Sequence, residues 1–106
     1  MAEYRYRLHG EVDISVADKI RTDLKLIVLT TDGHLLVDCT ELEFIDSTGI
    51  AVLLEAHRDF EEVGRHMLVV NMPPEPRRVL ELHDVMDLCR YDRGTESLAT
   101  VRHIYN

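Results

Sequence analysis

Two segments decide how this chain folds: Leu35-Leu36-Val37-Asp38 and, a few residues on, Phe44-Ile45-Asp46-Ser47-Thr48-Gly49-Ile50-Ala51-Val52-Leu53-Leu54. His34 to Asp38 is a short apolar run bounded by turn signals, which reads as a strand. It lacks polar alternation, so it belongs at the centre of a sheet covered on both faces. Ile50, Leu53, Leu54, His57, Phe60 or Glu61, and Val63 then recur at helical spacing. That spacing predicts a helix that starts near Ser47 and stops at Gly64 in a left-handed conformation. Between strand and helix, the polar step Cys39-Thr40-Glu41 opens an expected loop that runs to Asp46. Leu42, Phe44 and Ile45 should pin that loop to the core.

The same alternation extends in both directions. Tyr4, Tyr6 and Leu8 alternate with Arg5, Arg7 and His9, the period of a strand with one buried face. Gly10 should punctuate it, with Glu11-Val12-Asp13 leading into a turn. Ser15 with Asp18 resembles a capping box with Asp in place of Glu. Val16, Ala17, Ile20, Leu24, Ile27 and Val28 then trace an amphipathic helix to about Leu29, ended by the turn Thr31-Asp32-Gly33. Beyond Gly64, Met67-Leu68-Val69-Val70 reads as another buried strand. Pro73, Pro74 and Pro76 fit a rigid turn and the first turn of a helix, where no proline N–H is missed. Arg77 to Leu82 reads as a short helix, Cys89-Arg90-Tyr91 as a last strand, and Thr95 to Tyr105 as a terminal helix with Leu98, Val101 and Ile104 inside. The expectation is a single α/β domain over residues 1–106, with a parallel or mixed sheet of about four strands and alternating helices packed on it.

Composition narrows the function. The chain has 106 residues and is 45% hydrophobic, enough for one aliphatic core, with no Trp. Its formal charge is −8, from 12 Lys+Arg against 20 Asp+Glu. Nucleic acid and anionic membranes both select a clustered basic surface, so neither is an expected partner. The longest apolar run, Ile50 to Leu54, is far short of a membrane span. The first residues lack the apolar core of a secretion signal. Cys39 and Cys89 make no disulfide framework. These features together predict a cytoplasmic protein with reduced thiols.

Three segments resemble a known family. Gly10-Glu11-Val12-Asp13, then Leu36-Val37-Asp38 through Phe44-Ile45-Asp46-Ser47-Thr48-Gly49-Ile50, then Pro76 through Leu82, are similar in this order to STAS domains of the anti-sigma factor antagonist type. The likeness covers roughly Leu8 to Ile104. It implies a non-catalytic regulatory switch without a cofactor. Dephosphorylated protein would bind an anti-sigma factor that is also a serine kinase, and so free a sigma factor. Phosphorylation of Ser47 would end the binding, and a phosphatase would reverse it. Thr48 is the runner-up acceptor. Asp13, Asp46, Ser47, Thr48 and Gly49 would border the partner surface. The family's usual extra strand before the one ending at Gly10 has only Met1 to Glu3 to form it, which predicts an exposed sheet edge.

Each of these residues also has a plainer role. Ser47 suits a helix N-cap, Asp13 and Asp46 suit turns and caps, Thr48 a solvent-facing first-turn hydroxyl, and Gly49 close packing. Phosphate would add roughly −1.5 to −2 charges, and a helix start tolerates them, so the switch should act on binding and leave the fold intact. The alternatives are an adaptor that is never modified and a module binding a nucleotide or lipid-related ligand, such as a transporter-associated subunit. Paired carboxylates as acid–base catalysts come last. His9, His34, His57, His66, His83 and His103 show no metal-ligand spacing, and no phosphate-binding loop or nucleophile elbow is present.

Overall fold

The computed structural model of the chain describes residues 2–82. Strand β1 (Glu3–Val12) leads into helix α1 (Ile14–Thr30), strand β2 (His34–Ile45), helix α2 (Ser47–Glu62), strand β3 (Met67–Val70) and helix α3 (Pro74–Leu82). The strands lie in the order β1-β2-β3, and both pairs are parallel. The expected mixed character is not found among the described residues, because every connection between strands is a helical crossover, and crossovers join parallel strands. The sheet described has three strands. The expected fourth strand at Cys89–Tyr91 and the terminal helix lie outside the described residues.

As expected, β2 is central, and its Leu35, Leu36, Val37 and Asp38 are all buried. Leu35, Val37 and Cys39 face a core shared with Ala17, Ile20 and Leu24 of α1, with Ile50, Val52, Leu53, Ala56 and Phe60 of α2, and with Met67 and Val69 of β3. Both crossover helices thus cover one face, as crossovers of one hand dictate when strands are laid down in sequence order. The opposite face carries a small cluster of Leu36, Leu68 and Val70. On that face Asp38 accepts from the Thr40 N–H and hydroxyl and from the Asn71 amide, and Arg5 stands 3.4 Å away.

The expected loop from Cys39 to Asp46 is instead the second half of β2. β1 runs on through Gly10 beside it, and two register irregularities, at Arg7/His9 and Gly10/Glu11, let the pair bend and stay bonded to Val12 and Ile45. Gly10, at φ +66°, supplies the left-handed residue such an irregularity favours. Leu42 and Ile45 do reach the core, but Phe44 is 47% exposed. α2 ends as predicted, with Gly64 at φ +74°. Val63 lies outside the buried face and is exposed. α3 begins three residues before the expected Arg77, since Pro74 occupies the first helical position without loss. Pro76 and Leu80 are its buried residues, whereas Leu82 is 80% exposed.

At the end of the sheet where the strands begin, the buried Arg65 joins three segments. Its guanidinium donates to the carbonyls of Val28 (2.5 Å), Thr31 (2.7 Å) and Gly33 (3.2 Å), and lies over the Phe60 ring. It thereby satisfies carbonyls that the end of α1 leaves unpaired.

Candidate functional site

The site forms where β1 and β2 end side by side. Val12 and Ile45 are Cα partners, and the Asp46 N–H donates to the Val12 carbonyl at 3.1 Å. The next residue of each strand is an aspartate in extended conformation, and each begins a helix. Asp13 Oδ1 accepts from the Ser15 N–H (2.9 Å) and hydroxyl (2.5 Å). Asp46 Oδ1 accepts from the Thr48 N–H (3.0 Å), the Gly49 N–H (3.1 Å) and the Thr48 hydroxyl (2.5 Å). Two helix starts of the same design therefore lie on adjacent strand ends.

This arrangement corrects three expectations. Ser47 does not cap α2; Asp46 does, because its carboxylate accepts from the Thr48 and Gly49 N–H groups of the first turn. Asp13, not a Ser15–Asp18 box, caps α1, and Asp18 instead pairs with Arg21 at 2.5 Å. The Thr48 hydroxyl does not point to solvent but donates to Asp46. The signal that could have separated these roles is the repeat of Asp-Ile-Ser at 13–15 as Asp-Ser-Thr at 46–48, where the hydroxyl two residues past the aspartate is the one held.

Ser47 is the first residue of α2 and exposed, and among the described residues no hydrogen bond engages its hydroxyl. The two candidate hydroxyls are thus physically distinct: one is tied to a carboxylate and the other is open to solvent. The Asp46 carboxyl is held below the usual carboxylate range, first by the Thr48 hydroxyl and then by the Gly49 N–H. It is ionised at neutral pH, and the oxygen that makes these bonds is committed to the cap.

Gly49 faces inward and is buried. A Cβ there would stand 2.8 Å from Ile45 Cγ1 and 2.8 Å from Val12 Cγ1. The glycine lets α2 start directly against the ends of both strands. Ile14, the α1 counterpart of Ser47, is 76% exposed. All five residues predicted for the site therefore belong to two neighbouring helix starts, four of them at least partly accessible and Gly49 beneath.

Among the described residues no group of three or more His, Cys, Asp or Glu could hold a metal ion. No helix among them is long and apolar enough to cross a membrane.

The family model for the STAS domain matches residues 4–98 of this chain. The chain belongs to the STAS-domain family. This STAS domain is 27% identical over 94 residues to an anti-sigma F factor antagonist of Paenibacillus polymyxa, spanning 87% of this chain and 80% of the relative. Its structure superposes on that of the anti-sigma factor antagonist SpoIIAA in its unphosphorylated form with a TM-score of 0.77 and 25% identity, over 98% of this chain and 92% of that one. SpoIIAA of Bacillus in its phosphorylated form matches with a TM-score of 0.67 and 23% identity, over 92% of this chain and 88% of that one. Homology to anti-sigma factor antagonists makes the domain a regulatory and non-catalytic one.

Proposed function

We propose that this STAS domain is an anti-sigma factor antagonist switched at Ser47. Unphosphorylated protein binds an anti-sigma factor in the cytoplasm and thereby releases a sigma factor. The anti-sigma factor is also the serine kinase that transfers the γ-phosphoryl group of ATP to the Ser47 hydroxyl, and a phosphatase removes it. The observation that carries this reading is the open, exposed Ser47 hydroxyl next to the capping Asp46, in a domain similar to a protein known in phosphorylated and unphosphorylated forms.

The electrostatics support a binding switch. The positive end of α2 tolerates a phosphate on its first residue, so the fold persists. The same phosphate adds roughly −1.5 to −2 charges beside ionised Asp46 and near Asp13. At a packed interface that charge is desolvated next to like charges, and the partner is expelled. Asp13, Asp46, Ser47 and Thr48 form the contacted surface, and Gly49 acts beneath it by seating α2 against the strands. Thr48 is the poorer acceptor, since phosphorylating it requires breaking its bond to Asp46 and loosening the cap.

The test is affinity capture from the native cytoplasm with the wild type, Ser47→Ala and Ser47→Glu proteins, with bound proteins identified by mass spectrometry. An anti-sigma factor retained by the wild type and by Ser47→Ala but lost with Ser47→Glu is the expected result. Equal capture by all three would make Ser47 a bystander, and capture of no anti-sigma factor would remove the proposal.

A further inference from the structure

Beside the switch, the end of β2 and α3 enclose an open groove of about 280 Å³. Its apolar wall is Phe44, Pro76, Val79 and Leu82, and Glu43, Glu75 and Arg78 stand on its rim. Phe44 at 47% and Leu82 at 80% exposure are large apolar side chains left at the surface. Phe44 is the Cα partner of Glu11, just past the register irregularity at Gly10/Glu11, and only three residues before Ser47. Three residues of extended chain span at most about 10 Å, close to the screening length of roughly 8–10 Å near physiological salt. An occupant of the groove and a phosphate on Ser47 therefore lie within electrostatic reach of each other.

We propose that this groove is the anchoring half of the partner interface, and that it takes an apolar side chain of the partner set beside arginine or lysine. The inference rests on the reading of Ser47 as the switch and names what the partner must present there. Three features select that occupant. Drug-sized ligands occupy pockets of about 300–1,000 Å³ that bury most of their surface, whereas this groove, at the bottom of that range, is open, the shape that receives one side chain projecting from a larger surface. Its rim carries two carboxylates against one guanidinium, in a chain of net charge −8, so a basic neighbour of the anchor is favoured and an acidic one repelled. Buried aromatic contacts are also where binding energy concentrates. The division of labour follows: Phe44 and Leu82 supply affinity in both states, and Ser47 supplies the charge that overrides it.

The test uses the full chain and the purified anti-sigma factor captured by the wild type in the experiment above, with affinities from isothermal titration. Phe44→Ala is expected to weaken binding by about 30-fold, the effect of losing a central interface anchor. Leu82→Ser should weaken it in the same direction. Leu82 is so exposed that this variant keeps the fold, which covers the case in which Phe44→Ala unfolds. Glu75→Lys should slow association and reduce its salt dependence. Leu29→Ala, at an exposed residue of α1 away from the site, is the control and should leave affinity unchanged. If Phe44→Ala and Leu82→Ser bind within twofold of wild type while Ser47→Glu does not bind, the groove assignment is wrong and the Ser47 switch stands. If the wild type binds no anti-sigma factor at all, both fall together.

Discussion

Replacing Gly49 with alanine should destabilise the domain, although on an isolated helix the same change is favourable. In a helix interior alanine gains about 1 kcal/mol over glycine, and Gly49, in the first turn, can claim at most that. Against this gain stands the new methyl group. It would lie 2.8 Å from Ile45 Cγ1, 2.8 Å from Val12 Cγ1 and 3.0 Å from the Val12 carbonyl oxygen. Neither neighbour can yield easily. Both are buried core residues paired across the β1–β2 ladder, and the Val12 carbonyl also holds the Asp46 N–H. Overpacking costs about 1–3 kcal/mol; two contacts below 3.0 Å with buried side chains put this case at about 2–3 kcal/mol, so the net loss after the alanine gain is about 1–2 kcal/mol. For a domain of this size that lowers the melting temperature by roughly 5–15 °C. Urea unfolding of wild type and Gly49→Ala, followed by circular dichroism, measures the difference. A midpoint equal to or above wild type would refute the claim that Gly49 is required by the close approach of α2 to the strand ends.

Arg65→Met should cost about 2–3 kcal/mol, because the Val28, Thr31 and Gly33 carbonyls lose a charged donor at once; a thermal midpoint within a degree of wild type would argue against that role. Glu3→Gln should stabilise the protein at neutral pH. Burial raises the Glu3 carboxyl, whose Oε2 is buried without a hydrogen-bond partner, with His34 Nε2 standing 4.0 Å off. A raised carboxylate destabilises the fold when ionised, so the gain should shrink as pH falls through the raised folded value and be gone below about 4.3, the ordinary value for Glu. Asp38→Asn should show the opposite dependence. Burial works to raise Asp38, but the Thr40 hydroxyl and N–H, Asn71 and Arg5 outweigh it and hold the group low. Its contribution is therefore present above its unfolded value of about 4 and lost as pH falls through the folded value. Asp38→Asn should be less stable than wild type at pH 7 and lose less stability on acidification, which stability curves from pH 2 to 7 would show.

Elements with a strong apolar period were legible in the sequence, and junctions were not. The stripes of α1 and α2, the central place of β2 and the stop at Gly64 follow from periodicity and one left-handed residue. The second half of β2 was hidden because Thr40-Glu41-Leu42-Glu43 reads as a loop until its partner is known. Only the register irregularities of the β1–β2 pair, a long-range property, keep it in the sheet. The caps were ambiguous for a different reason. Aspartate and serine cap helices about equally well, and Asp46-Ser47 presents both, so the choice depends on where β2 ends. The role of Arg65 was not legible, since nothing local shows that three carbonyls from a distant segment converge on it. Phe44 was read as a core anchor for a loop, and its exposure follows from the register irregularity at Gly10/Glu11, which takes it off the face it would share with Leu42. Asp13, Asp46, Ser47, Thr48 and Gly49 were singled out from the sequence and lie at two neighbouring helix starts, while the separation of a tied hydroxyl from an open one needed the geometry.

The most direct measurement is the affinity of the purified anti-sigma factor for two forms of the full chain, one unmodified and one phosphorylated stoichiometrically, with the modified residue mapped by mass spectrometry. The account predicts phosphate on Ser47, an intact fold by circular dichroism, and at least a hundredfold weaker binding, the loss of about 2.7 kcal/mol. Phosphate found on Ser47 with affinity unchanged, or a phosphate that maps to Thr48, would contradict it.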